Sequence, residues 1–279
     1  MDAISLRDFY RTPLGRLARR QLSLVIRQRW KNLSGLAVAG SGFASPFLGP
    51  FRGEVARLAC LMPERQGALV WPDSSQCHSV LVGETQWPLP DNSIDRLLAI
   101  HCLEQAERVG PLLREMWRVL KPDGRMLIVV PNRRGLWSRI DTTPFGYGLP
   151  FSRGQLETQL TDALFTPEDW GEALYFPPLN NRVLLRMAPT LERFGSSMSI
   201  GVAGVILVEA RKEVMAPVTG TVKAVPVKPT LKPVDTTKPA GVGRRYDFSD
   251  RFELCSRKTA FSPNKFCIES DHLIGNRRS

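Results

Sequence analysis

The amino-acid sequence predicts an α/β protein whose central region folds as a three-layer α/β/α sandwich around a mostly parallel sheet. Short apolar runs alternate with segments of helical periodicity between residues 32 and 210, which is typical of strands joined by helical crossovers. The run Met126–Val130 is wholly apolar, as in a strand buried on both faces. Gly40 and Gly42 follow the first apolar run, as in a tight turn from a strand into a helix.

The elements of this region follow from the same patterns. Strands are predicted at 36–39, 68–71, 94–100, 126–130 and 202–210. Helices are predicted at 53–62, 112–120, 155–164 and 181–194. Loops rich in proline and glycine, such as residues 87–93 and 121–124, separate them.

The chain divides into three predicted parts. Residues 1–31 form an N-terminal amphipathic helix over 6–31, because aliphatic residues recur on one face and arginines on the other. Residues 32–210 form the α/β domain. Residues 211–279 form a basic tail rich in proline, lysine and threonine, in which 214–245 is expected to be flexible and open to proteolysis.

The positive charge lies at the two ends of the chain. The net charge is +11, yet residues 32–210 hold 16 basic and 18 acidic side chains. Residues 1–31 hold 8 basic side chains against 2 acidic ones, and residues 211–279 hold 14 against 7. Nucleic-acid binding is therefore disfavoured, since no basic face with aromatic readers is evident in the domain. The basic termini either keep the chain in solution or contact an acidic protein partner.

Other classes are excluded by composition. No apolar stretch reaches the roughly 18 residues of a membrane span, and arginines interrupt the N-terminus too early for a secretory signal. The five cysteines are odd in number and lack CxxC spacing, which favours a reducing compartment and argues against a zinc site. We therefore expect a cytoplasmic protein with no bound metal.

An ordered set of motifs occupies residues 33–131. The glycine turn Gly40-Ser41-Gly42 is followed by LPDNSID at 89–95, HCLE at 101–104 and LREMWRVLKPDG at 113–124. This set resembles the class I S-adenosylmethionine-dependent methyltransferases, in particular the subgroup of ubiquinone and menaquinone C-methyltransferases. The resemblance implies a Rossmann-like fold, S-adenosylmethionine as cofactor and methyl transfer to a small-molecule acceptor.

The resemblance also implies a set of cofactor-binding residues. Gly40, Ser41 and Gly42 would form the turn against the cofactor, Asp73 would hold the ribose hydroxyls after the second strand, and Glu84 would contact the adenine amino group. If a ligand passes Gly42, a side chain there should abolish binding while leaving the fold intact.

The sequence departs from the family pattern at three places. Val38 stands where an acid usually precedes the first glycine, Ala44 replaces the third glycine, and Gln105 replaces a histidine. These departures keep a second function open, in which a catalytically degenerate domain acts as a binding or regulatory partner.

His101 is the candidate general base. It lies at the predicted carboxyl end of a strand, where open α/β sheets bind ligands. The alternative is a neutral histidine that packs beside Glu104 at the strand end. Cys102 is assigned to the core, because adjacent strand residues point to opposite faces.

Overall fold

The structure is a computed structural model, and it describes residues 1–198 and 203–214. These residues lie in one compact unit, Met1–Gly220. The predicted flexible segment 214–245 falls outside the described residues, apart from Val214 at its start.

A seven-stranded sheet forms the centre of the fold. Its strands are β1 Ala37–Gly42, β2 Arg57–Pro63, β3 Ser79–Val82, β4 Ile94–Ile100, β5 Leu120–Pro131, β6 Phe165–Ala173 and β7 Val205–Lys212. The spatial order is β3-β2-β1-β4-β5-β7-β6. The pairs among β1 to β5 are parallel, and β7 runs antiparallel to both β5 and β6.

In the described part of the chain, six α-helices accompany this sheet. They are α1 Ala3–Arg11, α2 Pro13–Arg29, α3 Ser45–Leu48, α4 Val109–Val119, α5 Arg153–Asp162 and α6 Arg182–Met198. Within the described ranges, no helix combines the length and apolarity needed to cross a bilayer.

The two faces of the sheet bury separate apolar clusters. In β4, Leu98 and Ile100 pack on the side of α1 and α2, whereas Leu97 and Ala99 pack on the side of α4 and α5. Strand β5 alternates in the same way. This division follows from the two-residue period of a strand, and it confirms the predicted three-layer Rossmann-like α/β/α fold.

The N-terminal segment is two helices instead of the single helix predicted over 6–31. Pro13 removes a backbone donor and disfavours helical geometry at Thr12. The Thr12 hydroxyl then caps α2 by accepting a hydrogen bond from the Gly15 amide at 3.0 Å. Leu6 of α1 and Leu22 of α2 are fully buried in the cluster that covers β1, so these helices complete one layer of the sandwich.

The second strand differs from its prediction. The segment expected as a helix over 53–62 contains β2, Arg57–Pro63, and residues 68–71, expected as a strand, are irregular. Strand β2 pairs in parallel with β1 over five residues, with Gly40 opposite Cys60. This long-range pairing outweighs the helix-favouring composition of the segment, which is rich in Leu, Met, Ala and Arg.

Candidate functional site

A cavity of about 570 Å³ opens at the carboxyl ends of β1, β2, β3 and β4. This edge is where doubly wound sheets bind ligands, and the volume is ordinary for a small-molecule site. Four glutamates line the cavity, against two cationic groups, the Arg65 guanidinium and the Met1 ammonium group. The glutamates are Glu64, Glu84, Glu104 and Glu107. The lining therefore suits a ligand that carries positive charge.

Glu104 is the most buried of these carboxylates. Its residue is 2% exposed, and its Oε1 atom lies 3.2 Å from His101 Nδ1. Its Oε2 atom is buried and has no partner among the described residues. A buried carboxylate oxygen without a donor is costly, so this atom is a candidate acceptor for a bound cation or donor.

Gln66 contributes a second unpartnered acceptor to the same cavity. Its Nε2 donates to the backbone oxygen of His101, while its Oε1 is buried without a partner in the described part of the chain. Gln66 therefore links the end of β2 to the end of β4 and leaves one oxygen for a ligand.

His101 does not line this cavity. Its side chain is fully buried at φ +52°, and its Nε2 lies 2.6 Å from the Tyr10 hydroxyl of α1. Glu104, His101 and Tyr10 thus form a buried chain of hydrogen bonds from the cavity to the N-terminal helix. Desolvation raises the pKa of the Tyr10 hydroxyl well above its ordinary value, so Tyr10 stays protonated in this chain. The role of His101 as a base in contact with an acceptor stays a prediction. Its burial outside the cavity does not favour this role.

The glycine turn serves the packing of the chain itself. A Cβ atom at Gly40 would lie 2.5 Å from Cβ of Ala44, so Gly40 makes room for the alanine that replaces the family's third glycine. Gly42 has φ +76°, and a Cβ there would lie 2.8 Å from the backbone oxygen of His101. The expectation that a side chain at Gly42 would spare the fold is therefore wrong.

Of the predicted cofactor residues, Ser41 and Glu84 line the cavity. The Ser41 hydroxyl lies 3.1 Å from Cys102 Sγ, and desolvation raises the pKa of that thiol to about 12, so Cys102 stays neutral. Glu84 Oε1 accepts from the Glu107 amide at 2.7 Å. Gly40 and Gly42, predicted in a turn, lie in β1, and neither lines the cavity.

Asp73 lies away from the cavity and requires a correction. Its carboxylate accepts from the amides of Ser75 and Gln76 in an exposed turn. The residue that follows β2 directly is Glu64, which lines the cavity. Sequence reasoning missed Glu64 because it placed the second strand at 68–71; an acid directly after the apolar run LACLMP was the available signal.

The motifs at 89–95 and 113–124 are joined by one arginine of the second motif, Arg118. The Arg118 guanidinium bonds to both oxygens of Glu115 at 2.7 and 2.9 Å and to the carboxylate of Asp91. It also donates to the backbone oxygens of Trp87 and Leu89. The motifs thus hold together the loop beside the cavity, and their role is structural.

Comparison with known proteins agrees with this geometry. Residues 63–128 match the family model described as a methyltransferase domain. No curated protein matches the chain. The match to the family model confirms the resemblance to class I S-adenosylmethionine-dependent methyltransferases over residues 63–128. The resemblance implies S-adenosylmethionine as the cofactor.

Several solved structures are similar to this chain at low sequence identity. A possible histamine N-methyltransferase from Thermotoga maritima is 15% identical, with a TM-score of 0.50, over 74% of this chain and 94% of that one. The cyclase SpnF is 21% identical, with a TM-score of 0.48, over 71% of this chain and 82% of that one. A methyltransferase from Mesorhizobium loti is 15% identical, with a TM-score of 0.49, over 67% of this chain and 96% of that one.

The residues present fit the implied cofactor. S-Adenosylmethionine combines a sulfonium cation, an amino-acid group with one ammonium and one carboxylate, a ribose diol and an adenine amino group. All of these except the carboxylate prefer anionic or neutral oxygen acceptors. The cavity offers such acceptors on separate strand ends, and two of them, Glu104 Oε2 and Gln66 Oε1, are buried without partners.

Proposed function

We propose that this protein transfers a methyl group from S-adenosylmethionine to a small-molecule acceptor. The observation that carries the proposal is the acid-lined cavity at the strand ends, in which Glu104 keeps an unpartnered buried oxygen. When bound, the cofactor supplies a methyl group on a cationic sulfur, and the protein contributes by binding, orienting and excluding water.

Each cavity residue has a proposed role. Glu64, directly after β2, accepts from the ribose hydroxyls, and Glu84 after β3 accepts from the adenine amino group. Glu104 Oε2 accepts from the ammonium group, at the place where a buried cation is best compensated. Ser41 borders the cavity at the end of β1.

Titration calorimetry with S-adenosylhomocysteine, the demethylated product, tests these roles. Glu64→Gln should weaken binding by about tenfold, because a charged acceptor is replaced by a neutral one. Asp73→Asn removes the same charge from an exposed turn outside the cavity, and it should leave the affinity unchanged. A larger loss from Asp73→Asn than from Glu64→Gln would contradict the assignment.

The degenerate alternative has structural support of its own. The Ala3 amide donates to the Gln66 backbone oxygen at 2.7 Å, and the Gln66 side chain reaches the His101 oxygen. These contacts span the gap between β2 and β4 with the chain's own atoms. A domain closed in this way would bind the nucleoside part of a ligand without accommodating its amino-acid part.

Comparing S-adenosylhomocysteine with adenosine separates the two functions. Methyl transfer predicts that the full product binds at least about tenfold more tightly than adenosine, and that Glu104→Gln reduces this preference. Equal affinities for the two ligands would favour the binding partner over the enzyme. The thermal midpoint of Glu104→Gln serves as the folding control.

The remaining assignments accompany this proposal. A cytoplasmic location and a protein partner for the basic termini stay predictions, as does the absence of nucleic-acid binding. Within the described residues, no group of three or more His, Cys, Asp or Glu side chains is placed to hold a metal ion.

A further inference from the structure

A second cavity lies between the N-terminal helices and the chain that follows β2. Its volume is about 460 Å³, within the roughly 300–1,000 Å³ of small-molecule pockets. It shares no lining residue with the acid-lined cavity. The role proposed for the first cavity therefore leaves it unexplained.

The charge of the second cavity is positive. Arg7, Arg11 and Arg19 line it. Asp8 is the ion-pair partner of Arg7 at 3.0 Å and of Arg11 at 3.9 Å. Arg19 forms no ion pair within the part of the chain that the structure describes. Two of the three arginines thus share one exposed carboxylate, and Arg19 has none, which leaves positive charge available for an anion.

The opposite wall of the cavity is apolar. Leu69, Val70 and Trp71 form it, and Val70 is 64% exposed. Exposed apolar surface beside fixed charge suits a ligand that carries both kinds of group. The residues expected as a β-strand over 68–71 thus supply this wall.

The lining of the cavity also includes a hydroxyl group. Ser45 lines the cavity and is 5% exposed. Its hydroxyl is not among the buried polar atoms that lack a partner in the described part of the chain, and it can donate to an oxygen of a ligand in the cavity.

We propose that this second cavity binds a small amphipathic organic acid. Its carboxylate contacts the arginines, with Arg19 as the main anchor, and its hydrocarbon body packs on Trp71 and Val70. The site is independent of S-adenosylmethionine binding and extends beyond the proposed methyl transfer.

An anionic membrane surface is the competing occupant, and the helices disfavour it. Leu14, Leu22 and Ile26 of α2 are buried against the sheet, and Leu24 is the one aliphatic side chain of this helix that is largely exposed, at 50%. A single exposed leucine does not give the helix an apolar face to insert into a bilayer. A free organic acid needs only the open cleft of about 460 Å³ that these residues line.

Calorimetric titration of the full chain with 2-naphthoate and with 2-naphthamide tests the proposal. The two probes share a ring system and differ in charge. We expect 1:1 binding of the acid and at least about tenfold weaker binding of the amide. Saturating S-adenosylhomocysteine should change the affinity for naphthoate by less than about twofold.

Two matched variants locate the site. Arg19→Gln should weaken naphthoate binding by about five- to tenfold. Arg20→Gln removes the same charge from an exposed position on the same helix outside the cavity, and it should leave binding unchanged. Equal affinity for acid and amide, or equal effects of the two variants, would overturn the proposal. So would Arg19-dependent sedimentation with phosphatidylglycerol vesicles in a protein that does not bind naphthoate.

Discussion

At the scale of single residues, Gly42 shows how a family motif can be kept for packing. The backbone amide of the next residue, Phe43, donates to the Ile100 backbone oxygen at 3.0 Å. This hydrogen bond holds the segment after β1 against the end of β4. The Phe43 ring then stacks on Tyr10, with ring centroids 5.9 Å apart. Glycine is required here because the backbone is left-handed and the space for a side chain is filled by β4.

We expect Gly42→Ala to destabilise the protein by at least about 2 kcal/mol, from backbone strain plus overlap with the end of β4. Gly35→Ala is the matched control, since Gly35 also has φ +76° but has no atom within 4 Å of its added Cβ. It should cost about 1 kcal/mol. Urea denaturation of both variants measures the difference, and equal losses would show that overlap contributes nothing.

At the scale of elements, the sequence predicts the interior of the sheet better than its edges. The apolar runs that become β1, β4 and β5 predict strands, because strands buried on both faces need no polar alternation. The sequence does not predict β6, because Pro167 and Gly171 interrupt its pattern. Proline is tolerated there because β6 is an edge strand.

The error at β2 also carried over into the candidate site. A helix over 53–62 and a strand over 68–71 moved the predicted ribose acid to Asp73, nine residues beyond Glu64. Local composition could not correct this, because pairing with β1 is a long-range contact. Ser41 and Glu84 line the cavity, because their predictions depend on motif position and not on the register of β2. Their contact with the cofactor stays a prediction.

The hydrogen bonds from Arg118 to the loop at residues 87–91 can be tested through their effect on the stability of the fold. Arg118→Ala should cost about 1–3 kcal/mol at neutral pH, since the carboxylate of Glu115 and two backbone oxygens lose a donor. Arg114→Ala, an exposed arginine on the same helix, should cost less than about 0.5 kcal/mol. Chemical denaturation measures both, and similar losses would contradict the structural role of Arg118.

This loss should depend on pH in a defined direction. The hydrogen bond from Arg118 holds the pKa of Glu115 below its ordinary value of 4.5. A carboxyl with a lowered pKa contributes its full stability above the pKa of the unfolded chain and loses it as pH falls through the lowered folded value. The difference between wild type and Arg118→Ala should therefore shrink between pH 5 and pH 3. A constant difference across that range would sink the explanation.

At the scale of the whole molecule, two cavities of opposite charge lie on either side of the Tyr10 and His101 contact. The acid-lined cavity uses the strand ends, and the arginine-lined cavity uses the N-terminal helices. The net charge of the chain gave no indication of this separation. It arises from side chains that the fold brings together from distant positions.

Thermal unfolding tests whether the two ligands bind at separate sites and stabilise the fold independently. S-Adenosylhomocysteine at about 100 times its dissociation constant should stabilise the fold by about 2.7 kcal/mol. For a domain of this size, that raises the midpoint by about 5–10 °C. Naphthoate at its own hundredfold excess should add a comparable increment, because the sites share no residue. A combined shift no larger than either single shift would indicate one shared site.

The position of β7 has a consequence for biosynthesis. This strand is the last in sequence among the described elements, yet it lies between β5 and β6. At roughly 5–20 residues per second, a ribosome needs about 2–8 s to proceed from the end of β6 to the end of β7. During that interval the apolar edge of β5 is unpaired in the nascent chain, and β6 has no neighbour to join. The growing polypeptide thus passes through a stage with an unpaired strand edge. Such an edge can pair with another chain and aggregate, or it can be bound by a chaperone.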